Sequence, residues 1–219
     1  MVKTVIFDVD GTLLDSEKIY MAGWVKVGAD FGYTICKAAL LETRAVSAPV
    51  AKKVFQKYCG EDFPYEQMQL ARKSVVEEMF AQTPPELLRK PHAREVLQAL
   101  KEAGYTLAVA STTAYDRTCA HLRHAELYGL LDAVVGGDMV ENGKPAPDIF
   151  LKAMDLVGAE PGQCVMVGDT PADVLGATAA GIPVILIPDM VPANAVTKEK
   201  SHCILSDLSK VPEVIGMMK

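Results

Sequence analysis

Five short apolar runs, each hydrophobic at consecutive positions, limit this chain to a sheet that is covered on both faces. They are Val2–Phe7, Thr106–Ala110, Ala133–Val135, Cys164–Val167 and Val184–Ile187, and Cys203–Leu205 adds a sixth at an edge. A sheet with one wet face would alternate apolar and polar residues; unbroken apolar strands belong to a parallel sheet packed between helices. Helical patterns with good punctuation lie between them. Val96, Leu97, Leu100 and Ala103 form an apolar stripe that Gly104 closes. Pro147 suits a first helical turn, after which Ile149, Phe150, Ala153, Met154 and Val157 repeat at helical spacing up to Gly158. Thr170 reads as an N-cap with Pro171 at N1 and Asp173 at N3, and Gly181 ends that helix. Alternation of this kind predicts an α/β fold, a Rossmann-like three-layer core with a parallel sheet.

One stretch breaks the alternation. Between Ser16 and Pro85 the patterns are helical, over Glu17–Ala29, Val50–Tyr58 and Tyr65–Phe80. The stretch is too long for a simple crossover. The expected organisation is therefore a core of residues 1–15 and 86–219 with an inserted helical domain over 16–85.

Composition narrows the function. The chain carries a formal charge of −6, which argues against nucleic acid as a partner. No apolar stretch reaches the ~18 residues of a membrane span, so no membrane is expected. Five scattered cysteines, without C-x-x-C spacing, read as reduced thiols, with Cys164 and Cys203 as small core residues. The chain enters a strand pattern at once, leaving no room for a signal peptide. A cytoplasmic monomer is expected.

The first run ends in Asp8-Val9-Asp10-Gly11. A buried strand that delivers carboxylates must pair them, hydrogen-bond them or bind a metal. In extended geometry the two acids share a side, and Gly11 lets the backbone turn close to a ligand. The second run ends in Ser111-Thr112-Thr113, the fourth in Gly168-Asp169-Thr170 with Asp173 behind it, and Lys144-Pro145 follows the third. In parallel sheets ligands bind outside the carboxyl ends of the strands, where all of these fall. Each has a plainer reading: Asp169 as a loop acid, Ser111 as a helix cap, Lys144 as a surface cation, Asp173 as an acid favoured in a first helical turn. Asp15 and Ser16 read as a cap for the first inserted helix, and Gly11 with Thr12 as a turn.

Together these segments resemble the haloacid dehalogenase superfamily, in its phosphatase and phosphomutase branch with a helical cap. The resemblance rests on D-V-D-G-T-L-L-D-S-E at 8–17, A-V-A-S-T at 108–112, G-K-P-A-P-D-I-F at 143–150 and G-D-T-P-A-D at 168–173. It implies a phosphoric monoester hydrolase acting on a small phosphorylated metabolite: a sugar phosphate, phosphoglycolate or a nucleotide. It implies Asp8 as a nucleophile that becomes an aspartyl-phosphate, and Asp10 as general acid and then base. Mg²⁺ is implied at Asp8, the Asp10 carbonyl and Asp169, with Asp173 reaching its waters. Ser111 and the Thr112 amide are implied for the phosphoryl oxygens, Gly11 for the turn beneath them and Lys144 for their charge.

The second acid, Asp10, separates this branch from the dehalogenases proper. β-Phosphoglucomutase is the nearest alternative. That family resemblance places a histidine where Tyr20 stands, and an arginine where Ala45-Val46-Ser47-Ala48 offers Ala48. It also places an acid where Gly168 stands, so a plain phosphatase is expected. A phosphate-binding regulatory protein is the alternative of another class, and retention of both Asp8 and Asp10 speaks against it. For the rest of the substrate, Arg44 leads the candidates, ahead of Lys52, Tyr20 and Trp24; the two aromatics also fit an ordinary helical core. His92, His121, His124 and His202 show no spacing that suggests catalysis.

Overall fold

A computed structural model of the chain describes residues 1–44, 46 and 48–218. The chain divides into two compact units, one of Met1–Asp15 with Pro85–Lys219 and one of Ser16–Pro84. The first holds a six-stranded sheet in the order β3-β2-β1-β4-β5-β6. The strands are β1 (Thr4–Phe7), β2 (Thr106–Ala110), β3 (Ala133–Val135), β4 (Cys164–Gly168), β5 (Val184–Leu186) and β6 (Cys203–Ile204). Every neighbouring pair is parallel. The α/β class read from the apolar runs is the one observed.

Both faces of the sheet are buried, which is why its strands are apolar at nearly every position. Ile6, Ala108 and Met166 face a core shared with Phe150 and Met154 of the helix Asp148–Val157 and Val174 of the helix Pro171–Ala179. Val5, Phe7, Leu107, Val109, Val165 and Val167 alternate with them and have no exposed surface either. Leu97 and Leu100 of the helix Ala93–Glu102, which packs against β2, are equally buried. Each such side chain contributes roughly 1.5–3 kcal/mol through burial. Pro147 stands one residue earlier than expected, at the N-cap of its helix. Cys164 lies in the core, whereas Cys203 is half-buried, because β6 is a two-residue edge strand with no strand beyond it.

The second unit is helical over Ser16–Asp30, Lys37–Glu42, Ala48–Cys59 and Tyr65–Gln82. Its core is aromatic: Trp24 lies 4.4 Å from Phe55 and 5.5 Å from Tyr65, and Phe55 stacks on Phe63 at 5.1 Å between ring centroids. The first and last helices pack closely at Gly23, where a Cβ would come within 2.5 Å of Val76.

Candidate active site

β1 lies at the point where the strand order reverses, between β2 on one side and β4 on the other. In open α/β sheets that is where a crevice forms at the carboxyl edge. The polar residues follow the strands directly, and the ladder still holds their backbone. Asp8 N–H donates to the Val167 carbonyl at 2.9 Å and Ser111 N–H to the Val135 carbonyl at 3.0 Å. Beside Asp169, the Gly168 carbonyl accepts from Ile187 N–H at 2.8 Å. The acids thus follow directly on backbone that the sheet's hydrogen bonds hold.

Lys144 gathers them. Its Nζ donates to Asp8 Oδ1 at 2.5 Å, to Asp173 Oδ1 at 2.7 Å and to the Ala110 carbonyl at 2.7 Å, so all three ammonium protons have acceptors. The Lys144 side chain is 3% exposed and that of Asp8 10%. Burial is the main influence on Asp8 and lifts its carboxyl to about 7; Lys144 opposes the rise, while Asp173 and Asp10 add to it. Burial alone would lower the Lys144 ammonium, but the Asp173 and Asp8 charges outweigh it and hold the pKa above the usual lysine value.

Asp173 has two tasks. As expected from its N3 position, its Oδ2 accepts from Thr170 N–H at 3.0 Å and from the Thr170 hydroxyl at 2.6 Å, closing a capping box. Its other oxygen holds Lys144. Ser111 is not a helix cap, since Ala114 occupies that position before Tyr115–His124. Its buried hydroxyl oxygen accepts from Thr113 N–H at 3.1 Å. Thr112 is exposed beside it. The Thr113 hydroxyl donates to Asp10 Oδ2 at 2.9 Å, and the Thr12 hydroxyl to Asp169 Oδ1 at 3.2 Å. These two threonines were not read from the sequence as partners of the acids; their bonds span 103 and 157 positions.

Two glycines make the acid cluster possible. Gly11 has φ +92°, and a Cβ there would stand 2.5 Å from Asp169 Oδ2. At Gly168 a Cβ would meet Asp173 Cγ at 2.7 Å. Gly168, one of the three positions that depart from the mutase resemblance, thus also leaves room for Asp173.

Asp8, Asp169 and Asp173 present carboxylate oxygens within 4.8 Å of one another, and all three residues are buried. Lys144 donates to two of these carboxyl groups, those of Asp8 and Asp173. Three buried carboxyl groups that present oxygen so close together fit a small hard divalent cation such as Mg²⁺.

The remaining candidates belong to the other unit. Arg44 pairs with Glu17 at 2.5 Å, its side chain 6% exposed. Lys52 pairs with Glu66 at 2.7 Å near the surface. Trp24 is buried in the aromatic core, and Tyr20 packs on Phe80 at 5.6 Å, the plainer of the two readings given to them. Ala45 and Ser47 lie outside the described residues. Among the described residues, no helix is long and apolar enough to cross a membrane.

Comparison with known proteins agrees with this architecture. The model of the haloacid dehalogenase-like hydrolases matches residues 5–187. A phosphoglycolate phosphatase of Aquifex aeolicus is 31% identical over 82% of this chain and 81% of its own. A phosphorylated carbohydrates phosphatase of Thermotoga maritima is 29% identical over 82% of each chain. The crystal structure of β-phosphoglucomutase from Clostridium difficile superposes with a TM-score of 0.78, covering 99% of this chain and 96% of that one at 16% identity, a likeness of fold. With four motif segments at the carboxyl edge of one parallel sheet and a family match across most of its length, this chain belongs to the haloacid dehalogenase-like hydrolase family.

Proposed function

We propose that this phosphoric monoester hydrolase is a Mg²⁺-dependent phosphatase that cleaves a small phosphorylated metabolite through an aspartyl-phosphate on Asp8. The observation that carries the reading is the buried Lys144 ammonium held between Asp8 and Asp173 beside Asp169. Phosphoryl transfer needs alignment and positive charge around three oxygens more than it needs covalent chemistry from the protein. Asp8 attacks phosphorus as the ester P–O bond breaks, and Asp10 supplies the proton to the leaving oxygen. Asp10 then takes a proton from water as that water attacks phosphorus and the bond to Asp8 breaks. Lys144 neutralises charge between Asp8 and the phosphoryl group, while Ser111 and the Thr112 amide receive its oxygens over the turn at Gly11. Asp173 keeps Lys144 in place and caps its own helix. Mg²⁺ held by Asp8, Asp169 and the Asp10 carbonyl, with Asp173 reaching its waters, would supply further neutralisation of the phosphoryl oxygens.

Residues 16–85 are proposed as a cap that reads the part of the substrate beyond the phosphate, with Arg44 as its candidate cation. The names of the Aquifex and Thermotoga relatives support phosphoglycolate or a sugar phosphate as the substrate class. Phosphate release from p-nitrophenyl phosphate and from a panel of metabolite phosphates, with Mg²⁺ and with EDTA, tests the reading. Release that requires Mg²⁺ is expected. Binding of Mg²⁺ without release from any ester would favour a phosphate-binding protein instead. Glucose 6-phosphate formed from β-glucose 1-phosphate faster than free phosphate would favour a mutase.

A further inference from the structure

We propose that Thr113 is a positioning residue for Asp10, fixing the rotation of the carboxyl group that moves the proton; this rests on the aspartyl-phosphate reading above. The Thr113 hydroxyl donates to Asp10 Oδ2 at 2.9 Å. Asp10 is half-buried, and its neighbour Asp8 is already held by Lys144. Thr113 is itself held from three directions. Its N–H donates to Ser111 Oγ at 3.1 Å. Its carbonyl accepts from Gly137 N–H at 2.9 Å and from the Thr118 hydroxyl at 3.2 Å.

The loop that carries it cannot easily shift. A Cβ at Gly136 would stand 2.2 Å from Tyr115 N, and one at Gly137 would stand 2.4 Å from the Thr112 carbonyl oxygen. Those two glycines let the chain after β3 lie directly against residues 112–115. A β-branched side chain on so constrained a backbone has little torsional freedom. The hydroxyl is thereby aimed at one carboxylate oxygen. A general acid must lie within about 2.6–3.2 Å of the oxygen that takes its proton, so a small rotation of the Asp10 carboxyl removes it from reach.

The role is specific to proton transfer, and leaving-group chemistry reads it. p-Nitrophenolate departs without a proton, whereas phenolate is more basic and benefits from one. The two esters have nearly the same shape. The experiment is rapid-quench measurement of first-turnover phenol release from phenyl phosphate and p-nitrophenyl phosphate, with Mg²⁺, for the wild type, Thr113→Val and Thr113→Ser. Thr113→Val keeps the branched shape and loses the donor. It is expected to slow first-turnover release from phenyl phosphate by about tenfold or more beyond its effect on p-nitrophenyl phosphate. Later turnovers of p-nitrophenyl phosphate should slow as well, giving a burst, because the attacking water still needs Asp10. Thr113→Ser should restore both rates. Equal slowing of the two esters, or a Thr113→Val protein indistinguishable from the wild type, overturns the proposal. Should Thr113→Val not fold, Thr113→Ala is read by the same ratio. A wild-type protein that forms no protein-bound phosphoryl group from either ester removes the reading beneath the proposal, an outcome visible before any variant is made.

Discussion

Lys144 Nζ and Asp8 Oδ1 form an ion pair at 2.5 Å with both side chains withdrawn from water, and Asp173 holds the same ammonium from its other side at 2.7 Å. A charge pair of this kind is weak evidence of added stability, because desolvation offsets much of the attraction; removing one member is another matter. Here the lysine is the sole cation in hydrogen-bond contact with either acid among the described residues.

Lys144→Met should therefore leave Asp8 and Asp173 facing each other uncompensated. The expected loss is about 3–5 kcal/mol of stability in EDTA near neutral pH. Turnover should fall by about 10²–10³ from the missing charge at the phosphoryl group. Lys144→Arg should rescue little, since a planar fork cannot reproduce three bonds from one nitrogen. Chemical denaturation and steady-state rates on p-nitrophenyl phosphate check both parts.

The Asp8 carboxyl is raised by burial to about 7. A carboxyl whose pKa is raised on folding contributes stability that is fully present below its unfolded value, about 3.9, and is lost as pH rises through the folded value. The metal-free protein should thus become less stable, relative to Asp8→Asn, between about pH 4 and pH 7. Mg²⁺ competes with that proton, so its affinity should climb with pH over the same window and level off above it. Melting curves of both proteins against pH, with EDTA and with Mg²⁺, make the comparison. Parallel curves for the two proteins would contradict the assignment.

Gly168→Ala places a methyl group 2.7 Å from Asp173 Cγ. The helix cap at Thr170 and the Lys144 bond both depend on that carboxyl, so neither can be kept without a shift. Destabilisation of about 1–3 kcal/mol is expected from the overpacking, together with weaker Mg²⁺ binding. Thermal denaturation and isothermal titration with Mg²⁺ report the two effects separately.

In the helical unit, two ion pairs should behave differently. Arg44 is 6% exposed against Glu17, whereas Lys52 and Glu66 are 39% and 69% exposed. Arg44→Met, which removes one member of a pair largely withdrawn from water, should cost more stability than Lys52→Ala, for which about 0–1 kcal/mol is expected. Denaturant melts of both variants provide the check. If Arg44 also contacts substrate, Arg44→Met raises KM for the metabolite ester and leaves that for p-nitrophenyl phosphate unchanged.

The sheet was legible because its strands are apolar at successive positions, a pattern that only burial on both faces explains. Strand ends were harder. β6 closes after two residues, and Cys203 is half-buried there although Ile204 and Leu205 follow it. Asp8 and Asp169 stood out as polar groups at strand ends and Lys144 as a cation between Gly143 and Pro145, and the capping role of Asp173 followed from its spacing to Thr170. The place of Lys144 beside Asp8 came only with the family resemblance, and its bond to Asp173 was not foreseen, because these contacts join positions 136 and 29 apart. The carboxylate partners of Thr113 and Thr12 were hidden for the same reason: a threonine at a strand end or in a turn is common, and what distinguishes these two is the acid each meets in the folded chain.

Rapid-quench trapping of the phosphoryl enzyme bears on all of this at once. Wild-type protein mixed with substrate and Mg²⁺, quenched within a turnover and reduced with borohydride, should carry the modification on the peptide containing Asp8, and Asp8→Asn should carry none and turn over no substrate. Turnover by the wild type with no phosphoryl group on that peptide at any quench time, or undiminished turnover by Asp8→Asn, would show that Asp8 is not the nucleophile.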